Sequence, residues 1–251
     1  MGIALKNIHK SFGEQHVLRG IDLEFKTGEI TAVIGPSGTG KSVLLKIIMG
    51  LMPSNTGEVL IGNRSMTNAK DDEERREIRK ELGVLFQFAA LFDSMTVYDN
   101  IAFPLRYGQN SIGDEKKVKQ RTLTAIEEVG MSGMERSYPG EISIGMRKRV
   151  GVARALVTKP KVILFDEPNT GLDPEMGHEL YQLIRKSQEE YDFTGIVISH
   201  EIPEVFEVCS RAVLLYEGGV QFDGDYEEFK QSEKAIVKQF REGSVEGPIQ
   251  M

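Results

Sequence analysis

Cysteine, tryptophan and long apolar runs are scarce in this sequence, and each scarcity excludes a class of protein. The 251 residues include one cysteine, Cys209, and no tryptophan. A single cysteine excludes an internal disulfide, so we expect a protein of a reducing cytosol with an ordinary hydrophobic core. Residues 1–10 lack the apolar run of a signal peptide, and no stretch approaches the roughly 18 apolar residues of a membrane-spanning helix. We therefore expect any membrane role to come through a partner.

Positive charge is also in deficit. The chain has 31 Lys and Arg residues against 38 Asp and Glu residues, a formal net charge of -7. Proteins that hold nucleic acid through bulk charge carry the opposite sign, so no nucleic-acid partner is expected. The four histidines show no metal-ligand spacing with Cys209, which argues against a zinc site.

Three short apolar runs indicate the fold class. They are Ile30–Ile34, residues 162–165 and residues 195–198, and they are rich in β-branched residues without alternating polar positions. Strands buried on both faces of a parallel sheet have this pattern. Residues 43–48 and 176–184 carry apolar side chains at the helical period of about 3.6 residues. The sequence therefore predicts an α/β fold with a mainly parallel sheet.

Strand-like pieces near the N-terminus predict an antiparallel flank to this core. They are short, cover residues 3–7, 21–25 and 59–61, and are separated by glycines. We assign the flank and the nucleotide-binding core together to residues 1–86 and 158–224.

A helical subdomain is predicted as an insertion into the core. Residues 87–157 lack strand patterns, and 115–129 and 145–156 have helical ones. Residues 225–251 form the third part. We predict that this part is one polar helix and a tail without compact structure beyond Pro248, available for a dimer contact.

Residues 35–42 carry the most specific motif of the chain. They read Gly-Pro-Ser-Gly-Thr-Gly-Lys-Ser, which matches G-x-x-x-x-G-K-[ST] between a predicted strand and a predicted helix. Glycines let successive backbone N–H groups converge on phosphate oxygens, and the helix N-terminus adds partial positive charge. Lys41 is placed to reach the β- and γ-phosphates and the Ser42 hydroxyl to bind Mg²⁺. The alternative is a plain glycine turn, but the pattern arises by chance in only about one chain in a hundred of this length, and more rarely still between a strand and a helix.

Two carboxylates follow the predicted strand at residues 162–165. In a P-loop protein Asp166 is placed to hold Mg²⁺ through its water shell, and Glu167 to act as general base on the attacking water. An Asp-Glu pair alone is usually a solvated turn. The preceding P-loop favours the catalytic interpretation.

Five further segments, in order, resemble the nucleotide-binding subunit of an ATP-binding-cassette (ABC) transporter over nearly the whole chain. Phe12 stands where that family stacks the adenine ring, and Gln87 where it senses Mg²⁺ and the γ-phosphate. Residues 142–146 occupy the place of the signature L-S-G-G-Q, residues 169–173 match the loop that touches the opposite subunit, and His200 matches the γ-phosphate switch. A core phenylalanine and a surface histidine are the alternatives for Phe12 and His200.

The resemblance implies an ABC ATPase fold on a P-loop NTPase core, with two copies sandwiching two ATP molecules and Mg²⁺. The catalytic residues are then Glu167, His200, Lys41 and Gln87; the Mg²⁺ ligands are Ser42, Gln87 and Asp166; and Asp173 makes the dimer contact. The residues assigned to ATP are Phe12, Val17, Ser37, Gly38, Thr39, Gly40, Lys41, Ser42, Val43, Ser143 and Gly145.

The signature departs from the family pattern at two positions. Ile144 replaces the first glycine and Met146 the glutamine, while Ser143 and Gly145 are retained. A β-branched residue tolerates positive φ badly, so we expect a distorted loop and slow turnover if position 144 needs that conformation.

The apolar segment at residues 86–92 and 96–105 is similar to the ATPases of bacterial lipid transporters of the maintenance-of-lipid-asymmetry (Mla) and mammalian-cell-entry (MCE) types. Residues 145–149, 239–243 and 246–248 share this similarity. In the ABC family the apolar segment forms the groove for a coupling helix of the membrane subunit; the alternative is a locally packed core. In the lipid-transport subfamily the C-terminal tail reaches onto the neighbouring ATPase subunit.

This resemblance implies a complex of two copies of the chain, two membrane permeases and an MCE-domain substrate-binding protein. The complex would move phospholipid across the bacterial envelope, with this chain peripheral on the cytoplasmic face of the inner membrane. Alternatives are an importer of small polar solutes such as amino acids, and a soluble ABC ATPase acting on DNA or ribosomes. A P-loop kinase would have no use for Ser143 and Asp173.

Overall fold

The structure is a computed structural model that describes residues 1–250. Its contacts divide the chain into two compact units. The first comprises Met1–Ile78 and the chain from Thr194 onward, and the second comprises Arg79–Phe193. The proposed helical insertion, residues 87–157, lies within the second unit, which also contains strands. The predicted domain boundaries therefore stay a prediction.

The first unit contains an antiparallel sheet at its N-terminal end. Its strands run in the order β2-β1-β4-β5. They are β1 (Ile3–Phe12), β2 (Gln15–Phe25), β4 (Thr56–Ile61) and β5 (Arg64–Ser65). The predicted pieces lie inside these strands but are too short, because β1 and β2 pair all the way to a turn at Gly13.

A second sheet of the first unit carries the parallel strands. β3 (Ile30–Ile34) lies between β8 (Thr194–Ser199) and β9 (Arg211–Tyr216) and is parallel to both. β10 (Gly219–Asp225) closes an antiparallel hairpin with β9. All five residues of β3 are buried. The predicted parallel core is confirmed, whereas the β9-β10 hairpin was not predicted.

The strand register places two loops at one edge of this sheet. Ile34 of β3 pairs with Ser199 of β8. The residues that follow, Gly35 and His200, therefore lie together at the carboxyl edge. Helix α1 (Lys41–Ile48) starts after the loop from Gly35, and α2 (Asp72–Arg79) ends the first segment of the unit.

The second unit combines a parallel strand pair with four helices. β6 (Leu82–Leu85) pairs in parallel with β7 (Val162–Asp166). The helices are α3 (Val97–Tyr107), α4 (Glu115–Glu128), α5 (Ile144–Leu156) and α6 (Pro174–Tyr191). α5 packs against β6 and against the three other helices. The predicted helices at 115–129 and 145–156 are confirmed.

The C-terminal part differs from the prediction of one helix and a loose tail. It contains α7 (Tyr226–Gln231) and α8 (Ala235–Glu242). Gln239 on α8 is 3% exposed, and its amide pairs with Ile249 in both directions, from Nε2 to the carbonyl at 2.9 Å and from the Ile249 N–H to Oε1 at 2.6 Å. The prediction was wrong because the buried Gln239 side chain, and not a helix or sheet, provides hydrogen-bond partners for the tail backbone. Met251 lies outside the described residues.

Two further findings concern Cys209 and the length of the helices. Cys209 is 3% exposed, and burial raises the pKa of its thiol well above the ordinary value. The thiol is therefore a buried apolar group. Among residues 1–250, every helix is too short or too polar to cross a bilayer.

Candidate functional site: a P-loop and a signature helix

The P-loop links the end of β3 to the start of α1. Gly35 has a φ of 146° and Gly40 a φ of 96°, which L side chains rarely adopt. A Cβ on Gly35 would lie 2.3 Å from the carbonyl oxygen of Leu215, and one on Gly40 would lie 2.9 Å from Leu18 Cδ2. Backbone curvature and close contact both require glycine here. The loop has the strand and helix context that its motif predicts.

Lys41 is folded over this loop. It is 5% exposed, and its Nζ donates hydrogen bonds to the carbonyl oxygens of Gly35 at 2.7 Å and Pro36 at 2.8 Å. Gly40 provides no side-chain cap to α1, so the partial positive charge of the helix N-terminus faces the loop. An ammonium and a helix N-terminus at one glycine-rich loop form a phosphate-binding arrangement.

A cavity of about 270 Å³ lies beside the P-loop. Four of the predicted ATP residues line it, namely Val17, Ser37, Gly38 and Thr39. The β9-β10 turn also contributes, through Tyr216, Glu217 and Gly218, and so does Gln250 of the tail. Sequence reasoning missed these contributions because they depend on the unpredicted hairpin and on the folded tail.

The other predicted residues of the first unit lie around the loop in different ways. Ser42 is exposed and Val43 half-buried in the first turn of α1. His200 is exposed at the carboxyl edge of the sheet that also carries Gly35. Phe12 does not line the cavity; it ends β1 with 47% of its surface exposed, and the Lys10 ammonium lies 5.1 Å from its ring centroid. The role of Phe12 in adenine stacking stays a prediction.

The second unit brings Gln87 and Glu167 into contact. They follow β6 and β7, where Leu85 pairs with Phe165, and so lie at one carboxyl edge. Gln87 Nε2 donates to Glu167 Oε2 at 2.8 Å, and the Thr170 hydroxyl donates to the same oxygen at 3.1 Å. Asp166, the last residue of β7, is half-buried.

The signature residues form the N-terminus of α5. Ser143 is the N-cap, and its hydroxyl accepts the Met146 N–H at 3.2 Å. Ile144 is the first helical residue and has no positive φ. The expected distortion is therefore absent, because position 144 needs only a helical backbone.

Gly145 has no positive φ, so its backbone conformation does not itself require glycine. A Cβ there would lie 3.2 Å from the sulfur of Met176 on α6. Ser143, Gly145 and Met176 line a cavity of about 140 Å³ together with Arg149, whose Nη2 donates to Glu179 Oε2 at 2.6 Å. Asp173 caps α6, accepting the Met176 N–H at 2.9 Å.

An aromatic surface lies on α3 and the segment before it. We call Phe88, Phe92, Phe103 and Tyr107 the aromatic ridge. Phe103 stacks obliquely on Phe92 and Tyr107, with ring centroids 4.7 and 5.3 Å apart. Phe88 is 81% and Tyr107 72% exposed. The opposite face of α3, including Ile101, is buried. One face of the segment is therefore packed core and the other an exposed apolar patch of the kind that marks partner sites.

Comparisons with known proteins identify the family of the chain. The family model described as ABC transporter matches residues 18–170. The probable ribonucleotide transport ATP-binding protein mkl of Mycobacterium leprae is 40% identical over 100% of this chain and 72% of its own length. The intermembrane phospholipid transport system ATP-binding protein MlaF of Haemophilus influenzae is 36% identical over 98% of this chain and 92% of its own.

Importer subunits are similar as well. The methionine import ATP-binding protein MetN of Clostridioides difficile is 35% identical over 97% of this chain and 75% of its own length. Among solved structures, a dimer of the ATP-binding cassette MJ0796 in a post-hydrolysis state, bound to ADP and Pi, superposes with a TM-score of 0.80 and 31% identity. That match covers 89% of this chain and 98% of the other.

Proposed function

The chain belongs to the ABC transporter family and is an ATPase of that family, and from this premise we propose that it powers a phospholipid transporter of the bacterial envelope. It would act as a homodimer that closes on ATP and is coupled to a membrane permease. The single observation that carries the choice of phospholipid is the match with MlaF, which is nearly complete on both chains at 98% and 92%.

Nucleotide binding is supported by the P-loop of the first unit. Backbone N–H groups of the loop and of α1 donate to the phosphates. The Lys41 ammonium, bonded to the carbonyls of Gly35 and Pro36, exchanges these partners for phosphate oxygens. Val17, which lines the cavity beside the loop, contacts the nucleoside.

The oxygen donors assigned to Mg²⁺ suit that ion. They are the Ser42 hydroxyl in the first unit and the Asp166 carboxylate and Gln87 amide oxygen in the second, and Mg²⁺ prefers such hard ligands. Bound Mg²⁺ would neutralise charge on the β- and γ-phosphates. Asp166 would hold the ion through its water shell, and Gln87 would report its presence to the helical segment that follows.

Hydrolysis is proposed to use Glu167 as general base. Its Oε2 accepts hydrogen bonds from the Gln87 amide and the Thr170 hydroxyl, which orient the carboxylate. The attacking water would transfer its proton to this carboxylate as it adds to the γ-phosphorus, and ADP would leave. His200 would contact the γ-phosphate.

Dimer closure is proposed to use the N-terminus of α5. The Ser143 hydroxyl and the Gly145 N–H would bind the γ-phosphate of ATP held by the other copy, and Asp173 would contact that copy. The residues at the helix N-terminus favour an anion. The C-terminal part, residues 225–250, is the proposed second contact between copies.

The aromatic ridge is the proposed docking site for the permease. Its exposed rings, including Phe88 and Tyr107, would take up an apolar helix of the membrane subunit. This docking would hold the chain peripherally at the cytoplasmic face of the inner membrane.

Substrate and partners can be tested together. The chain, tagged and expressed from its own locus, is purified from detergent-solubilised native membranes, and co-purified proteins and lipids are identified by mass spectrometry. A permease with an MCE-domain protein and bound phospholipid is the expected result. The relative named for methionine import supports the second candidate, an importer of small polar solutes. A permease with a soluble solute-binding protein would favour that importer, and the absence of any membrane partner would contradict both.

A further inference from the structure

Lys148 is a buried cation on α5, the helix that begins after Ser143. It is 2% exposed, and burying an ammonium is strongly unfavourable unless polar groups surround it. Its Nζ donates to the carbonyl oxygen of Gln87 and to that of Glu167, the latter at 3.2 Å. One ammonium therefore binds the backbone of Glu167, the proposed base, and of Gln87, a proposed Mg²⁺ ligand.

The backbone conformation of Glu167 explains why such a contact is needed. Glu167 has a φ of 46°, in the left-handed region that non-glycine residues rarely adopt. Such a conformation persists only where neighbouring groups hold it. The Glu167 carbonyl accepts Lys148 Nζ and the Thr170 N–H, the latter at 3.3 Å. These bonds fix the direction in which the carboxylate leaves the end of β7.

Gln87 also connects the Glu167 carboxylate to the Lys148 ammonium through two hydrogen bonds. Gln87 Nε2 donates to Glu167 Oε2 at 2.8 Å, while the Gln87 carbonyl accepts Lys148. Farther along α5, Arg154 donates to the carbonyls of residues 89 and 90, at 2.5 and 2.8 Å. Two cations therefore attach the segment after β6 to α5, and Lys148 also attaches the end of β7.

We propose that Lys148 is a positioning residue for ATP hydrolysis, which fixes Glu167 and Gln87 relative to the helix that carries the signature serine. This inference rests on the proposed role of Glu167 as general base. Since the ammonium acts through backbone oxygens, its loss displaces the carboxylate without removing it, and a displacement of about 1 Å lowers a rate about a hundredfold. Lys148 thereby couples the position of α5 to the position of the Glu167 carboxylate.

The test compares steady-state ATP hydrolysis by the full-length wild type, Lys148→Met and Lys148→Gln. Methionine keeps a long flexible side chain without a donor, and glutamine keeps an amide that can reach one of the two carbonyls. For Lys148→Met we expect kcat to fall about 10- to 100-fold with KM for ATP unchanged, and for Lys148→Gln an intermediate loss. Lys148→Met should also accumulate an ATP-bound dimer, measured by size-exclusion chromatography with light scattering.

Arg211→Met is the matched control for the loss of a hydrogen-bonded cation. Arg211 donates to Asp223 through two nitrogens at 2.7 Å and to the carbonyl of Glu24 at 2.5 Å. It begins β9, at the amino edge of the sheet whose carboxyl edge carries the P-loop. We expect this variant to melt at a lower temperature and to keep the wild-type kcat.

Three results would overturn the inference. They are a kcat for Lys148→Met within about twofold of wild type, a loss of the ATP-bound dimer together with kcat, and an equal loss of kcat in Arg211→Met. If Lys148→Met does not fold, Lys148→Gln is judged by the same criteria. Glu167→Gln is measured beside them. Normal turnover in Glu167→Gln would refute the proposed base itself, whereas its inactivity beside an active Lys148→Met would refute only the positioning role.

Discussion

Single residues of the site are constrained by backbone conformation in ways that residue type alone does not reveal. Ile144 replaces a signature glycine, yet it starts α5 with a helical backbone and has no positive φ. Glu167 carries the strained φ of 46° instead, at a position where the motif calls only for a carboxylate. Strain therefore lies at the proposed base and not at the altered signature residue.

The first prediction concerns Ile144→Gly. Because the backbone is helical at position 144, glycine relieves no strain, and turnover should stay within about twofold of wild type. The variant should be less stable by no more than about 0.5 kcal/mol, because residue 144 is the first of α5 and glycine costs less there than in a helix interior. Steady-state ATPase rates and urea unfolding measure the two effects. A severalfold rise in turnover would show that the exposed isoleucine side chain, 53% accessible, itself slows the enzyme.

The secondary-structure elements that could be predicted are those that a contiguous stretch of sequence specifies. The buried strand Ile30–Ile34 and the P-loop after it are contiguous patterns, and the parallel pairing followed from their apolar composition. The aromatic segment before Tyr107 could be singled out, but its division into a buried and an exposed face needed the packing of α3.

Contacts between distant residues could not be predicted from sequence. Lys148 lies 61 residues from Gln87, and nothing in the sequence near either residue indicates that they meet. The tail was predicted to lack compact structure because its composition is polar. In the structure the buried amide of Gln239 forms hydrogen bonds with the Ile249 backbone in place of regular secondary structure. Both contacts are specified only by the complete fold.

The second prediction concerns the packing of α5 on β6. Gly151 lies where a Cβ would come within 2.5 Å of Leu85 Cδ1 and 3.2 Å of Ala89 Cβ. Gly151→Ala should therefore destabilise the protein by about 1–3 kcal/mol through overpacking, although alanine favours a helix. Thermal unfolding of the purified variant measures the loss.

Gly113→Ala is the control for Gly151→Ala. No atom lies within 4 Å of a Cβ at Gly113, so alanine should leave stability unchanged or raise it by up to about 1 kcal/mol. Equal stability of the two variants would show that α5 can move away from β6 without cost.

At the scale of the whole molecule, the proposed function assigns roles to residues of each unit. The first unit carries the P-loop and His200, and the second carries Glu167, Gln87 and the signature serine. In the proposed dimer the signature of one copy completes the ATP site of the other. ATP is then both the substrate and part of the dimer interface, so that ATP hydrolysis and dissociation of the dimer are coupled.

The last prediction separates hydrolysis from dimer closure by Glu167→Gln. The amide keeps the shape of the side chain but accepts no proton, so turnover should fall by about a thousandfold or more. Because the Lys41 and Ser143 contacts are untouched, the ATP-bound dimer should accumulate, and light scattering should show twice the monomer mass with Mg²⁺ and ATP. Lys41→Ala is the counterpart. It removes the ammonium proposed to bind the phosphates, so both ATP hydrolysis and ATP-dependent dimer formation should be lost. A Glu167→Gln protein that stays monomeric with ATP would contradict the idea that hydrolysis is what opens the dimer.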